Sequence, residues 1–346
     1  MAPRIGMRLN LEDEGEDYKH VDQVQRMERL GYDSVWIGET TARDVFGLLS
    51  HLAHNTTTIT LGSAIANIFS RTPSQLAMAA ATLDETSGGR FNLGLGTSGA
   101  KLIQDWHGVP FKKPVKRSGE YIKIIKLILS GQRVNYDGEF FKLRDFKLTF
   151  EPRRRNLPIY ICALGPKYIE LTGELADGWV PIYLSPRHHA RMVGVMQVGA
   201  TRTGRNAKEQ VDLRPYTMTC VANGENLEQC KYLVRGHLSS YIGGSGYSYH
   251  ALVSSFGYKE ECDLMREAWQ RRDRAGAVKY VTDAMVDDLA VVGTAEQCRQ
   301  KLMDIRSKTG VSPIIYVARG VRTIDDGPPA NILKDTIEGV APVAFK

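Results

Sequence analysis

Apolar positions along this chain follow two alternating rhythms. Short apolar runs of strand length recur, and between them apolar residues return every three or four positions, as on one face of a helix. Residues 4–9 form a first short strand. Val21, Val24, Met27 and Leu30 then mark a helix, with Gly31 where a C-terminal cap belongs. Residues 34–38 (Ser-Val-Trp-Ile-Gly) read as a buried strand, 44–54 as a helix, 59–65 as a strand, and 74–86 as a helix opening after Pro73. Residues 91–96 supply a fourth strand.

The rhythm resumes after an interruption. Residues 121–129 are a strongly apolar helix closed by Gly131, and residues 132–150 alternate around Asp137-Gly138 as a hairpin does. Strands follow at 158–162, 178–183, 216–221 and 313–317, with helices at 167–175, 188–198, 227–239 and 294–307. Eight strands interleaved with helices predict an α/β fold, a (β/α)8 TIM barrel with insertions at its C-terminal mouth. A single barrel is expected over 1–346, with insertions around 97–115, 131–150 and 240–275. The last of these breaks the rhythm with Gly243, Gly244 and Gly246 and the aromatics Tyr241, Tyr247, Tyr249, Phe256 and Tyr258.

Composition narrows the class. Hydrophobic residues are 42% and charged residues 24%, which excludes wholesale disorder. No apolar run approaches the roughly 20 residues of a membrane-spanning helix, and the start lacks the apolar stretch of a signal peptide. Five dispersed cysteines without a Cys-x-x-Cys pair indicate neither a disulfide framework nor a metal knuckle. A reduced, soluble, cytoplasmic protein is expected, acting on a small molecule and on neither nucleic acid nor membrane. The net charge is 45 − 39 = +6. Its basic residues gather at Lys112-Lys113, Lys116-Arg117 and Arg153-Arg154-Arg155, which are solvated faces or attract an anionic small molecule.

In a barrel the strand ends are where chemistry sits. After the second strand Glu39 either faces a cofactor ring or pairs with Arg43 on the rim, and Asp44 opens a helix. After the third stands Gly62-Ser63-Ala64-Ile65-Ala66-Asn67, whose small residues let a planar ligand approach the backbone and whose Asn67 amide is able to read a heterocycle's edge. After the fourth, Gly94-Leu95-Gly96-Thr97-Ser98-Gly99 is a literal G-x-G-x-x-G, with Glu120 at the spacing of a ribose-binding acid. Pro110 and Pro114 break any crossover helix there, so a glycine-rich loop touching phosphate or a ring fits better than a nicotinamide fingerprint. After the fifth, Leu164-Gly165-Pro166 opens a helix whose free N–H groups suit an anion. His51 and His54 lack a third metal ligand, so no metal is expected.

Taken together, these segments resemble the bacterial-luciferase-like superfamily, and most of all its deazaflavin-dependent branch, which includes methylenetetrahydromethanopterin reductase. The carriers are residues 33–39 with 43–46, Arg71-Thr72-Pro73, residues 83–90 (Leu-Asp-Glu-Thr-Ser-Gly-Gly-Arg), 93–99, Trp106-His107-Gly108, 163–167, 173–179, 241–258 and 287–293. The resemblance implies a homodimeric F420-dependent oxidoreductase that moves hydride between the deazaflavin C5 and a small organic substrate. It further implies a cis peptide between Ala64 and Ile65 against the ring, a phosphate between Thr97-Ser98-Gly99 and Gly165-Pro166, and Glu39 as the catalytic acid–base group. The family often has Asp-His after the second strand, where this chain has Glu39-Thr40, keeping a carboxylate and losing an imidazole. Alternatives are an FMN-dependent monooxygenase of the same superfamily and a catalytically silent cofactor-binding barrel.

Overall fold

The computed structural model describes residues 3–9, 19–39, 43–245, 247–319 and 329–345; Thr40 and Gly246 lie outside them. All eight expected strands form, as Gly6–Arg8, Ser34–Ile37, Thr60–Ser63, Phe91–Gly96, Ile159–Ile161, Gly178–Trp179, Tyr216–Val221 and Ile314–Tyr316. Helices alternate with them, so the fold is α/β of the (β/α)8 type. Among the described residues no helix is long and apolar enough to cross a membrane. The chain divides into two compact units.

One unit comprises Met1–Asp33, Pro181–Met192 and Arg214–Lys346. Its first and eighth strands pair in parallel (Gly6↔Ile314, Met7↔Ile315), and the eighth pairs in parallel with the seventh. A further strand, Ala290–Gly293, lies along the seventh from Met218↔Ala290 to Val221↔Gly293. Arg214, almost fully buried, donates to both oxygens of Asp33 at 2.6 and 2.8 Å. That bidentate geometry is what makes a buried guanidinium tolerable.

The stretch at 240–275, expected as a break in the alternation, is helical. A π-helical turn at Ser240–Gly244 leads to helices Tyr247–Ser254 and Lys259–Gln270. The last buries Cys262, Met265 and Ala268 at three-residue spacing under an otherwise charged surface. Glycines and tyrosines hid that periodicity in the sequence.

The other unit comprises Ser34–Val180 and Val193–Leu213, with strands two to six in parallel order. Strand Ser34–Ile37 is buried along its length, and the Trp36 indole meets Tyr160 edge-on at 5.1 Å. The apolar helix reaches further back than expected, to Pro114, whose missing N–H costs nothing in a first turn. The hairpin forms from Val134–Asp137 and Lys142–Phe146.

Glu120, on helix Pro114–Leu129, accepts the N–H groups of Glu139, Phe140 and Phe141 at 2.8, 2.9 and 3.3 Å. It fastens the hairpin turn and has no ribose-binding role, which removes the nicotinamide reading of the glycine motif. The basic clusters are likewise tied down. Lys113 and Lys116 pair with Glu139, while Arg154 pairs with the buried Asp84. Arg90 donates to the carbonyls of Ala53, Ile59 and Ser87 at 2.9, 2.8 and 2.7 Å. The Ser-Gly-Gly-Arg signature therefore holds the fold together.

In the first unit His237 is buried on helix Leu227–Ser239 and stacks on Tyr241 at 4.6 Å. Burial, with the charges of Arg319 and Arg8, pushes its pKa from 6.5 down to about 3. Between those values the unfolded chain binds more protons than the folded one, so stability rises with pH across the window and is lost as pH falls. Chemical denaturation at pH 7 and pH 4.5 should show this loss, with His237 contributing up to about 1.4 kcal/mol per pH unit. In His237→Gln that part of the slope disappears; an unchanged slope refutes the assignment.

Candidate active site

The ends of strands two to five in the second unit bring the expected residues together. The first contact is local: the Glu39 N–H donates to the Ile65 carbonyl at 2.9 Å, and the Ala64 N–H to Ile37 at 2.7 Å. The segment after the third strand is thereby pinned to the end of the second. The peptide between Ala64 and Ile65 is cis, as the resemblance implies. Beyond it Ala66–Asn67 forms a short strand paired with the fourth (Ala66↔Leu95, Asn67↔Gly96).

Two glycines of the fourth strand make this approach possible. A Cβ on Gly94 would stand 1.8 Å from the Ser63 carbonyl oxygen, and one on Gly96 would stand 2.6 Å from the Ile65 side chain. A side chain at Gly94 would force the backbone of the third strand away, and one at Gly96 would force the Ile65 side chain aside. The Ser63 hydroxyl completes the contact, donating to the Gly94 carbonyl and accepting its N–H, both at 2.9 Å.

Glu39 is mostly buried and fully engaged. Its Oε2 accepts the Asn67 N–H at 2.7 Å, and its Oε1 pairs with the Arg71 guanidinium, which also binds Asp44. The rim partner Arg43 is thus replaced by Arg71, from a motif quoted in the sequence without a role. Burial works against the charge of Arg71, but its hydrogen bond with Glu39 and the charges of Glu39 and Asp44 outweigh that and raise its pKa. Asp44 also caps helix Val45–Asn55 through the Gly47 N–H at 2.7 Å. Asn67 is buried, and its side-chain oxygen closes a turn by accepting the Phe69 N–H at 2.8 Å.

Ser98 takes a left-handed φ of 54°, and Gly99 caps the short helix Ala100–Asp105 without a side-chain bond. Gly165 likewise caps helix Pro166–Leu175 without one, leaving backbone N–H groups at its first turn. These two loops follow neighbouring strands, paired at Leu95↔Ile161. Nothing stands within 4 Å of a Cβ placed on Gly99 or Gly165, so both backbones are open to a ligand. Arg117, not singled out beyond its place in a basic cluster, lies between the Phe69 and Phe141 rings at 4.8 and 4.7 Å. Burial lowers its pKa. Among the described residues no group of His, Cys, Asp and Glu could hold a metal ion.

The family model described as luciferase-like monooxygenase matches residues 10–312. A protein of Mycobacterium tuberculosis named as a coenzyme F420-dependent oxidoreductase is 28% identical over 340 residues, 93% of this chain and 97% of its own. The 5,10-methylenetetrahydromethanopterin reductase of Archaeoglobus fulgidus is 30% identical over 298 residues, 84% and 87% of the two chains. The structure of the coenzyme F420 dependent tetrahydromethanopterin reductase of Methanopyrus kandleri superposes with a TM-score of 0.79 at 23% identity, over 99% of this chain and 98% of that one.

A carboxylate left buried without its cation is costly, so Arg71→Met should destabilise the protein by about 3 kcal/mol in denaturant unfolding. Adding Glu39→Leu removes the stranded charge, and the double variant should recover at least about 1 kcal/mol relative to the sum of the single ones. Additive losses would mean that the pair is not coupled.

Proposed function

The chain belongs to the luciferase-like monooxygenase family and is an enzyme, and from that premise we propose that it is an F420-dependent oxidoreductase. The observation that carries this reading is the near full-length match to a relative named for F420-dependent oxidoreduction. The residues fit such a cofactor. A planar ring can lie against the Ala64–Ile65 peptide, which Gly94 and Gly96 let pack closely on the fourth strand. A phosphate requires N–H groups and hydroxyls, which Thr97, Ser98, Gly99 and Gly165 and the first turn of the helix opened by Pro166 offer, with Leu164 beside them.

When bound, the deazaflavin supplies hydride exchange at its C5 with a small organic substrate. Glu39 is the group assigned to the accompanying proton, held or released at a carboxylate oxygen. Arg71 and the Asn67 N–H fix the orientation of that carboxylate before substrate arrives. Asp44, bound to the same guanidinium, keeps Arg71 in place when Glu39 gives up its share of the contact.

Fluorescence titration of the protein with F420 and with FMN tests the reading. Saturable quenching of F420 is expected, and tight binding of FMN with none of F420 overturns it. In Glu39→Gln the affinity for F420 should stay within a few-fold, while turnover falls by about 10²–10⁴-fold, the range for a lost acid–base group. Parent-rate turnover in that variant would make Glu39 a structural residue of the rim.

A further inference from the structure

The first unit contains a cluster of aromatic residues in which three buried polar atoms, on Tyr183, Tyr316 and His237, find no hydrogen-bond partner among the described residues. Tyr316 ends the eighth strand, and Tyr183 follows Ile182, which pairs with Tyr216 of the seventh. His237 lies near the end of its helix, Tyr241 in the π-helical turn, and Tyr249 on the helix after it. The Tyr183 ring stands edge-on to those of Tyr241 and Tyr249, both at 6.3 Å, and His237 faces Tyr316 at 5.4 Å.

The Tyr183 hydroxyl, the Tyr316 hydroxyl and the His237 Nε2 are all buried without a hydrogen-bond partner. The two hydroxyls approach one another closely enough for a weak hydrogen-bonding influence on their pKa values, yet their geometry is not that of a formed hydrogen bond. Each orphaned group carries a desolvation cost that a native structure seldom leaves unmet.

Two backbone features converge on the same place. Tyr183 adopts a left-handed φ of 55°, an uncommon conformation for a bulky side chain and one that gathers at ligand sites. Tyr241 is carried by a π-helical segment, which is rare in structures and frequent at functional sites.

Charge and protonation define what would fit. Burial, reinforced by the neighbouring tyrosines, raises both phenols well above their usual value, so they remain donors. Arg8 and Arg319 add a positive field around His237. An oxygen acceptor, neutral or anionic, answers all three features, and a flat apolar body answers the surrounding rings.

We propose that the Tyr183–Tyr316–His237 cluster binds a planar conjugated ligand through an acceptor oxygen, a phenolate or conjugated carbonyl, which takes hydrogen bonds from the two tyrosine hydroxyls. The rings of Tyr241 and Tyr249 flank the ligand's body. This site needs no cofactor, so it stands or falls separately from F420 binding.

The test uses 4-nitrophenol as probe at pH 8, with binding to the full chain followed by absorbance in the absence of any cofactor. Saturable binding is expected, weakened about tenfold or more in Tyr183→Phe and in Tyr316→Phe, since a bond to a charged acceptor is lost. Both variants should keep the parent melting temperature, because the deleted hydroxyls have no partner in the free protein. Tyr232→Phe, at an exposed position, should bind the probe as the parent does. If Tyr316→Phe fails to fold, Tyr183→Phe decides alone. Absent saturation, or unchanged affinity in the variants that fold, overturns the proposal. So does a lowered melting temperature with unchanged binding, which would assign the hydroxyls to an internal water.

Discussion

A carboxylate withdrawn from water must be paired, and at Glu39 that requirement organises four segments of chain. Its oxygens hold the Arg71 guanidinium and the Asn67 N–H, and Arg71 in turn holds Asp44 at the start of helix Val45–Asn55. The end of the second strand, the segment after the third, and the starts of two helices are thereby fixed by one ion-pair network. Between Glu39 and Arg71 Coulomb attraction acts with little water to screen it, whereas Asp44 is more than half exposed and its share is screened. Against that frame the Ser63–Gly94 contact sets how closely the third and fourth strands approach, and Ile65 comes to lie over Gly96. The proposed seat for a flat ligand and the position of the carboxylate both rest on this arrangement.

Most of the fold was legible because strand and helix periodicities are local. Each of the eight strands was marked by its own apolar run, and Pro73, Pro166 and Asp44 marked helix starts for reasons of backbone chemistry. What escaped were elements whose periodicity is masked. The helices between 247 and 278 are rich in glycine and tyrosine at their entry, and strand Ala290–Gly293 is short and sits in a segment noted only as a motif. The helix Ala330–Gly339 buries Ile332, Leu333 and Ile337 but follows a polar stretch and was not marked.

The candidate site was legible residue by residue, whereas its interactions were not. Glu39 and Asn67 stand at strand ends, which sequence can place. That Glu39 binds Arg71, 32 positions away, and not Arg43, four away, depends on how loops converge in three dimensions. Spacing along the chain was equally misleading for Glu120. It sat where a ribose-binding acid would, yet its three backbone hydrogen bonds belong to a hairpin turn. One of the segments that carry the resemblance, Ser-Gly-Gly-Arg, is architectural as well, since Arg90 spends its donors on backbone carbonyls and a threonine hydroxyl. In this chain such motifs report the scaffold as readily as the chemistry.

The most direct measurement is the position of the deazaflavin ring in a crystal of this chain grown with F420. The ring is predicted to lie against Ala64 and Ile65 with Glu39 at its edge, and the phosphate to lie on the backbone N–H groups of the Ser98–Gly99 and Gly165–Lys167 loops. A ring seated elsewhere in the protein, with Ala64 and Ile65 untouched, would contradict the assignment of this site.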